Sequence, residues 1–154
     1  MRVIHIETAA QMRAAVLEEF STCDIVIKAA AVADYRAREI AENKIKKDED
    51  VLTLVLEKNP DILRELGALK KPGQILVGFA AETQNLLAYA RQKLEKKNLD
   101  FIVANDVTKP NAGFNSETNL IKILSRDGQV EEFPLQSKVV LAGIILDRVA
   151  ALPQ

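Results

Sequence analysis

Apolar residues in this chain come in short runs of strand length, set between stretches where they recur at helical spacing. Residues 2–6 (RVIHI) predict a short strand, with His5 packed inside it rather than free to ligate a metal. Thr8, with Gln11 three residues on, carries the capping-box signature and predicts a helix to about Phe20. Residues 24–32 (DIVIKAAAV) are nearly continuously apolar, as in a parallel strand covered on both faces. Asn59-Pro60-Asp61 predicts a helix start, with Asn as the cap and Pro at the first helical position. That helix should end near Gly67, before a turn at Lys70-Lys71-Pro72-Gly73. A third strand is expected over 74–79, a long helix from Thr83 to about Lys97, and a fourth strand over 100–104. Strand and helix in alternation predict a parallel sheet with crossover helices.

Two segments break the alternation. Residues 51–57 (VLTLVLE) are β-prone and follow a highly charged stretch, so they read as an added strand or arm. Residues 119–124 and 130–134 flank Arg126-Asp127-Gly128 and predict a β-hairpin, followed by a last helix over about 138–152. With 154 residues and 48% apolar types, the chain can build one real core, so 1–154 is read as a single domain.

Charge narrows the partners. The 21 basic and 22 acidic residues nearly balance, which argues against a nucleic-acid binder driven by phosphate neutralisation. One cysteine, Cys23, rules out an internal disulfide and fits a reducing cytoplasm. No apolar run is long enough to span a bilayer, and no signal-peptide pattern opens the chain. The expectation is a soluble, cytoplasmic α/β domain with no nucleic-acid or membrane partner. No His/Cys cluster suits zinc, and metal ligands are not legible. Nothing resembles G-x-G-x-x-G, and the chain holds only six glycines. Either the phosphate site is built differently or the opening unit is absent, which tells against an ordinary dinucleotide dehydrogenase.

Several places could carry chemistry. The run from Lys28 through Ala29, Ala30, Ala31, Val32 and Ala33 ends a buried strand in small residues, then presents Asp34, Tyr35 and Arg36. Ligands of open parallel sheets bind beyond the strands' carboxyl ends, and alanines there let a ligand approach the backbone. Asp34 could accept from a ribose hydroxyl or hold a metal; the plain alternative is a solvated turn. Lys44 opens a stretch with six charges in seven residues, either an exposed loop or a basic flap that closes over a triphosphate. The flap reading predicts weak order over residues 44–50 without ligand. Asn59, Pro60, Asp61 and Ile62 place backbone N–H groups at a helix start, which suits an anion as well as it suits a plain cap. In the helix after Thr83, Leu86, Leu87, Ala90 and Leu94 form one stripe; Lys97 falls inside it, Lys93 on its edge and Lys96 on the polar side. Lysines at i and i+4 repel unless an anion lies between them or both stems snorkel to solvent.

Together these segments resemble the bacterial phosphopantothenate–cysteine ligase family. The matching words are AAVADYR at 30–36, KIKK at 44–47, NPDI at 59–62, GFAAET at 78–83, YARQK at 89–93, NLD at 98–100, ANDV at 104–107 and GFNS at 113–116. Their shared order and spacing cover essentially the whole chain. The resemblance implies a Rossmann-like α/β fold: a mostly parallel sheet with crossover helices, a C-terminal β-hairpin and a small dimerisation arm in a homodimer. It implies a CTP- and Mg²⁺-dependent enzyme of coenzyme A biosynthesis. Such an enzyme converts 4′-phosphopantothenate into an acyl-cytidylate, from which the amine of L-cysteine displaces CMP. Carried over residue by residue, the CTP contacts would be Lys28, Ala29, Ala30, Asp34, Lys44, Asn59, Pro60, Asp61, Ile62, Phe79, Lys93 and Lys97. Lys44 would stabilise charge in the transition state.

The resemblance departs at the start. Family members open with a strand, a glycine-containing turn and an Asn-bearing segment, and many carry a preceding decarboxylase domain that uses FMN. This chain begins at what resembles the second strand, so it is expected to bind CTP yet show little ligase activity alone. Two alternatives stand beside the ligase. One is a short-chain-type, NAD(P)-binding oxidoreductase domain, for which Tyr89 and Lys93 satisfy the Tyr-x-x-x-Lys spacing. The other is a non-catalytic nucleotide-binding or dimerisation fragment.

Overall fold

The structure, a computed structural model, describes residues 1–41, 43–45, 51–82, 85–106 and 116–152, without the side chains of 82 and 106. Helix α1 (Ala9–Phe20) starts at the expected capping box. Thr8 Oγ1 accepts from the Gln11 N–H at 3.1 Å, and Gln11 Oε1 accepts from the Thr8 N–H at 3.0 Å. Strand β1 (Ile25–Lys28) is shorter than the apolar run 24–32, since the chain leaves the sheet at Ala29. Strands β2 (Tyr35–Ala37) and β3 (Leu56–Lys58) pair antiparallel as a separate two-stranded arm, so only the end of the β-prone segment 51–57 is strand.

Helix α2 (Ile62–Leu69) is capped by Asp61, whose Oδ1 accepts from the Arg64 N–H at 3.1 Å. Asn59 is therefore not the cap. Its Oδ1 accepts from Arg36 Nη1 at 3.0 Å, and its Nδ2 donates to the Ala33 carbonyl at 2.9 Å. Asn59 ties the arm to the loop after β1 instead. Strand β4 (Ile75–Glu82) follows a turn closed by the Gln74 N–H on the Lys71 carbonyl at 3.1 Å. Helix α3 (Leu86–Lys96) begins after Asn85, and Thr83, the expected start, lies outside the described residues. Strands β5 (Phe101–Asp106), β6 (Thr118–Ser125) and β7 (Val130–Ser137) lead to α4 (Lys138–Ala150). The β6–β7 hairpin turns at Arg126-Asp127-Gly128, where Gly128 has φ 90°, a conformation glycine adopts without a Cβ penalty.

The main sheet has the order β1-β4-β5-β6-β7. It is mixed: β1–β4 and β4–β5 are parallel, while the C-terminal hairpin makes β5–β6 and β6–β7 antiparallel. Pro134 cannot donate to a ladder and falls on the edge strand β7, beside the register shift between Asn119 and Ile121. The segment 2–6, expected as a strand, has no strand pairing among the described residues. His5 is exposed rather than packed, and Val3, Ile4 and Ile6 lie open to solvent. β1 forms the nearby sheet edge, with Ile25 exposed as well.

Strand alternation divides the core into two layers. Leu76, Ala80, Ile102 and Ala104 face α1, α2 and α3, packing with Phe20, Leu66, Ala90 and Leu94. Ile75, Val77, Phe101 and Val103 face the other way, onto Leu141, Ile145 and Val149 of α4. The α3 stripe holds at Ala90 and Leu94, but Leu87 is exposed, 37% of its surface open to solvent. Helix α2 lies so close to the end of α3 that a Cβ on Gly67 would stand 1.9 Å from the Lys97 carbonyl oxygen. Asn98, itself at φ 52°, donates its Nδ2 to the Gly67 carbonyl at 2.9 Å and fastens the two helices there.

Candidate active site

The carboxyl ends of β1, β4 and β5 lie together because the three strands are parallel. β6 is antiparallel to β5, so its first residues return to the same end of the sheet. The Lys138 N–H donates to the Glu117 carbonyl at 3.0 Å and brings the start of α4 there too. Beyond these ends opens a cavity of about 520 Å³. Its walls include Ala29, Ala30, Asp34, Phe79 and Lys93, five of the residues expected to meet nucleotide. The oxidoreductase pairing is not supported here: Lys93 lines the cavity, but Tyr89 is not among its walls and is 48% exposed.

A charged cluster adjoins this cavity on the α2–α3 side. Lys28 shares the strand face of Val26, which packs toward α1–α3, and its ammonium donates to the Ala30 carbonyl at 3.2 Å. Burial and the neighbouring Lys97 charge push the Lys28 ammonium below its usual value, against the opposing pull of Asp61 and Asp34. Lys97 Nζ meets both carboxylate oxygens of Asp61, at 3.1 and 2.8 Å. Burial raises the Asp61 carboxyl, but the Lys97 hydrogen bond, the Arg64 N–H and the charges of Lys97 and Lys28 outweigh it and hold the group below its usual range. Lys28, Asp34, Asp61 and Lys97 thus form one interacting set.

The helical phasing of the three lysines holds. Lys93 and Lys97 are half-buried and Lys96 is exposed. Within the 59–62 turn the roles divide: Ile62 is buried in the core, so only its backbone can meet a ligand. Pro60 is exposed, and Asn59 and Asp61 are engaged as above. Lys44 is exposed, outside any helix or strand, and is not among the residues lining the cavity. The flap expected at 44–50 lies outside the described residues from 46 onward, as does most of the GFNS word. Arg36 holds the arm, its Nη2 2.6 Å from Glu57 Oε1.

Three residues on the α4 side of the cavity were not anticipated: Asn105, Asn119 and Lys138. Asn105 could have been found, since it continues the parity of Phe101 and Val103 and is the polar position on that buried face of β5. At the opposite end of the sheet the polar residues satisfy one another. Lys70 Nζ lies 2.6 Å from both Asp100 carboxylate oxygens, and Asp100 accepts the Leu76 N–H. Among the described residues no cluster of three or more metal-ligating side chains occurs, and no helix is long and apolar enough to cross a membrane.

Residues 1–152 match the family described as the C-terminal domain of the DNA/pantothenate metabolism flavoprotein. The chain is 50% identical over 149 residues to the coenzyme A biosynthesis bifunctional protein CoaBC of Bacillus subtilis (strain 168), covering 97% of this chain and 36% of that protein. It is 41% identical over 152 residues to a cysteine/cysteine sulfinic acid decarboxylase from an unknown prokaryotic organism, covering 99% and 42%. The crystal structure of the C-terminal domain of CoaBC is similar at a TM-score of 0.76 and 38% identity, over 95% of this chain and 63% of that one. The chain thus spans well under half the length of these curated relatives.

Proposed function

The chain belongs to the family of the DNA/pantothenate metabolism flavoprotein C-terminal domain, and from that premise we propose that it carries the phosphopantothenate–cysteine ligase site of coenzyme A biosynthesis. The observation that carries the reading is a cavity at the carboxyl ends of parallel strands walled by Ala29, Ala30 and Lys93, with the interacting lysines Lys28 and Lys97 beside it. A triphosphate needs fixed cations to offset its charge, and small side chains to admit it to the backbone. The lysines and the 59–62 helix start would hold the phosphates of CTP, with Phe79 against the rest of the nucleotide. Lys44 would add its charge from the loop before the arm.

Two steps follow. The carboxylate of 4′-phosphopantothenate attacks the α-phosphate of CTP, giving an acyl-cytidylate and releasing pyrophosphate. The amine of L-cysteine then attacks the acyl carbon, CMP leaves, and the amide forms. In the first step negative charge gathers between two anions, so the lysines act where repulsion would otherwise set the barrier. Asp34, a carboxylate on the cavity wall, fits a Mg²⁺ held mainly by phosphate oxygens and water. Bound there, the ion would neutralise triphosphate charge.

Homodimerisation through the arm belongs to the same reading. Val51, Leu54 and Leu56 stand 74%, 62% and 55% exposed, an apolar row that a second copy would cover. A cytoplasmic location agrees with the single free thiol of Cys23.

Titration calorimetry with CTP and ATP tests the assignment. CTP is expected to bind more tightly, and equal affinity would defeat the cytidine preference. The ligase chemistry is followed by CMP and pyrophosphate release in the presence of CTP, Mg²⁺, phosphopantothenate and cysteine.

A further inference from the structure

The arm meets the cavity at Asp34, which directly precedes β2 and is itself part of the cavity wall. The β2–β3 ladder runs one step past its Tyr35–Lys58 pair, because the Asn59 N–H donates to the Asp34 carbonyl at 2.8 Å. Arg36 stands opposite Glu57 in that ladder, and Asn59 follows two residues later, on the same side. The guanidinium bridges the two: Nη2 lies 2.6 Å from Glu57 Oε1, and Nη1 donates to Asn59 Oδ1 at 3.0 Å. A guanidinium has donors only, so it fixes which end of the Asn59 carboxamide faces it. The NH₂ end is left to point at the Ala33 carbonyl, to which it donates at 2.9 Å. Asn59 does not line the cavity, and Pro60 and the α2 cap Asp61 follow it directly.

We propose that Arg36 is a positioning residue for the nucleotide site: by holding the Asn59 carboxamide in one orientation, it fixes the chain at Ala33 and Asp34 against the start of α2. The inference deepens the ligase reading and rests on it, adding a residue that acts through Asn59 rather than on the nucleotide. Residues 29–34 lie outside any strand, and Ala29, Ala30, Ala31, Ala33 and Asp34 are exposed, so burial does little to hold them. Their place relative to α2 therefore depends on ties such as the one through Asn59. The Arg36 and Glu57 side chains are 47% and 36% exposed, and an ion pair of that kind adds little to stability. What the pair supplies is orientation: Glu57 aims the guanidinium, the guanidinium sets the carboxamide, and the carboxamide sets the cavity wall.

The test is calorimetric titration with CTP of the whole chain as wild type, Arg36→Met, Asn59→Ala and the double variant. Each single change is expected to weaken CTP by about threefold to tenfold. The double variant should bind no worse than Asn59→Ala, because Arg36 has nothing left to orient. The melting temperature of Arg36→Met should stay near that of the wild type. Wild-type CTP affinity in Arg36→Met overturns the proposal. Losses that add in the double variant overturn it too, since Arg36 would then act on the nucleotide independently of Asn59. Should Asn59→Ala not fold, amide hydrogen exchange of unliganded Arg36→Met decides: the Asn59 N–H should exchange faster, and wild-type protection there overturns the proposal. All of these results leave the nucleotide site standing, whereas failure of the wild type to bind CTP overturns both readings.

Discussion

Replacing Lys97 with Met separates the nucleotide contact proposed for this lysine from its work on the fold. The Lys97–Asp61 pair is close, but the two side chains are 22% and 44% exposed, so water screens their attraction. Pairs of that kind are worth on the order of 0–1 kcal/mol. Met keeps the aliphatic stem packed, and Asp61 keeps both its bond to the Arg64 N–H and the nearby charge of Lys28. Urea unfolding should therefore shift by no more than about 1 kcal/mol. On the nucleotide the loss should be larger, roughly 1.5–3 kcal/mol for each charge-assisted hydrogen bond removed, or about tenfold to a hundredfold in Kd. Lys96→Met, one residue away on the exposed side, should change neither quantity. Asp61→Asn retains a good cap and releases Lys97, so CTP affinity should hold or rise. The measurements are calorimetric titration with CTP and urea melts of the same four proteins. Unchanged CTP affinity in Lys97→Met, or equal losses at 96 and 97, would refute the reasoning.

Four further outcomes are expected. The folded Asp61 carboxyl sits below its unfolded value, so its stabilisation is complete above the unfolded carboxylate pKa of about 3.9 and is lost as pH falls through the folded value; Asp61→Asn should flatten that part of the acid limb in urea melts. Burial and the Lys97 charge hold the Lys28 ammonium below its ordinary value, so CTP affinity should decline with rising pH sooner than an ordinary lysine allows, and Lys28→Arg should move the decline upward in calorimetry. Gly67→Ala would put a Cβ 1.9 Å from the Lys97 carbonyl oxygen, and backbone must shift, lowering unfolding stability by about 1–3 kcal/mol. Lys44→Gln, at an exposed position, should lower turnover in a catalytically active form of the protein without moving the melting temperature; wild-type rates would remove Lys44 from the mechanism.

Local signals carried most of the fold. The Thr8–Gln11 box, the apolar runs of β4 and β5 and the Arg126-Asp127-Gly128 turn each depend on residues close in sequence, and each appears where the pattern puts it. The failures share a physical cause, which is dependence on a distant partner. Residues 2–6 have strand composition, but a strand exists only through its neighbour, and none of the described residues pairs with them. Asn59 has the right type for a cap, yet Arg36 and the Ala33 carbonyl bind its side chain, and the cap passes to Asp61. The apolar run after Lys28 reads as more strand, but small side chains there wall the cavity instead.

The site was legible in proportion to its charge. Lysines at helical spacing and an acid after a run of alanines announce themselves, and the fold assembles Lys28, Asp34, Asp61 and Lys97 from segments that are far apart in the chain. The α4 wall gives no such signal, because a single Asn in an apolar strand and a Lys opening a helix are both common. They acquire meaning only from the topology. The antiparallel hairpin returns β6 to the carboxyl end of β5, and the Lys138–Glu117 backbone bond sets α4 there as well. Had the sheet continued parallel past β5, the start of β6 and the head of α4 would lie elsewhere, and the cavity would lose one wall. The C-terminal hairpin is therefore part of the cavity's construction: it supplies the wall that Asn119 and Ile121 line, opposite Ala29 and Ala30.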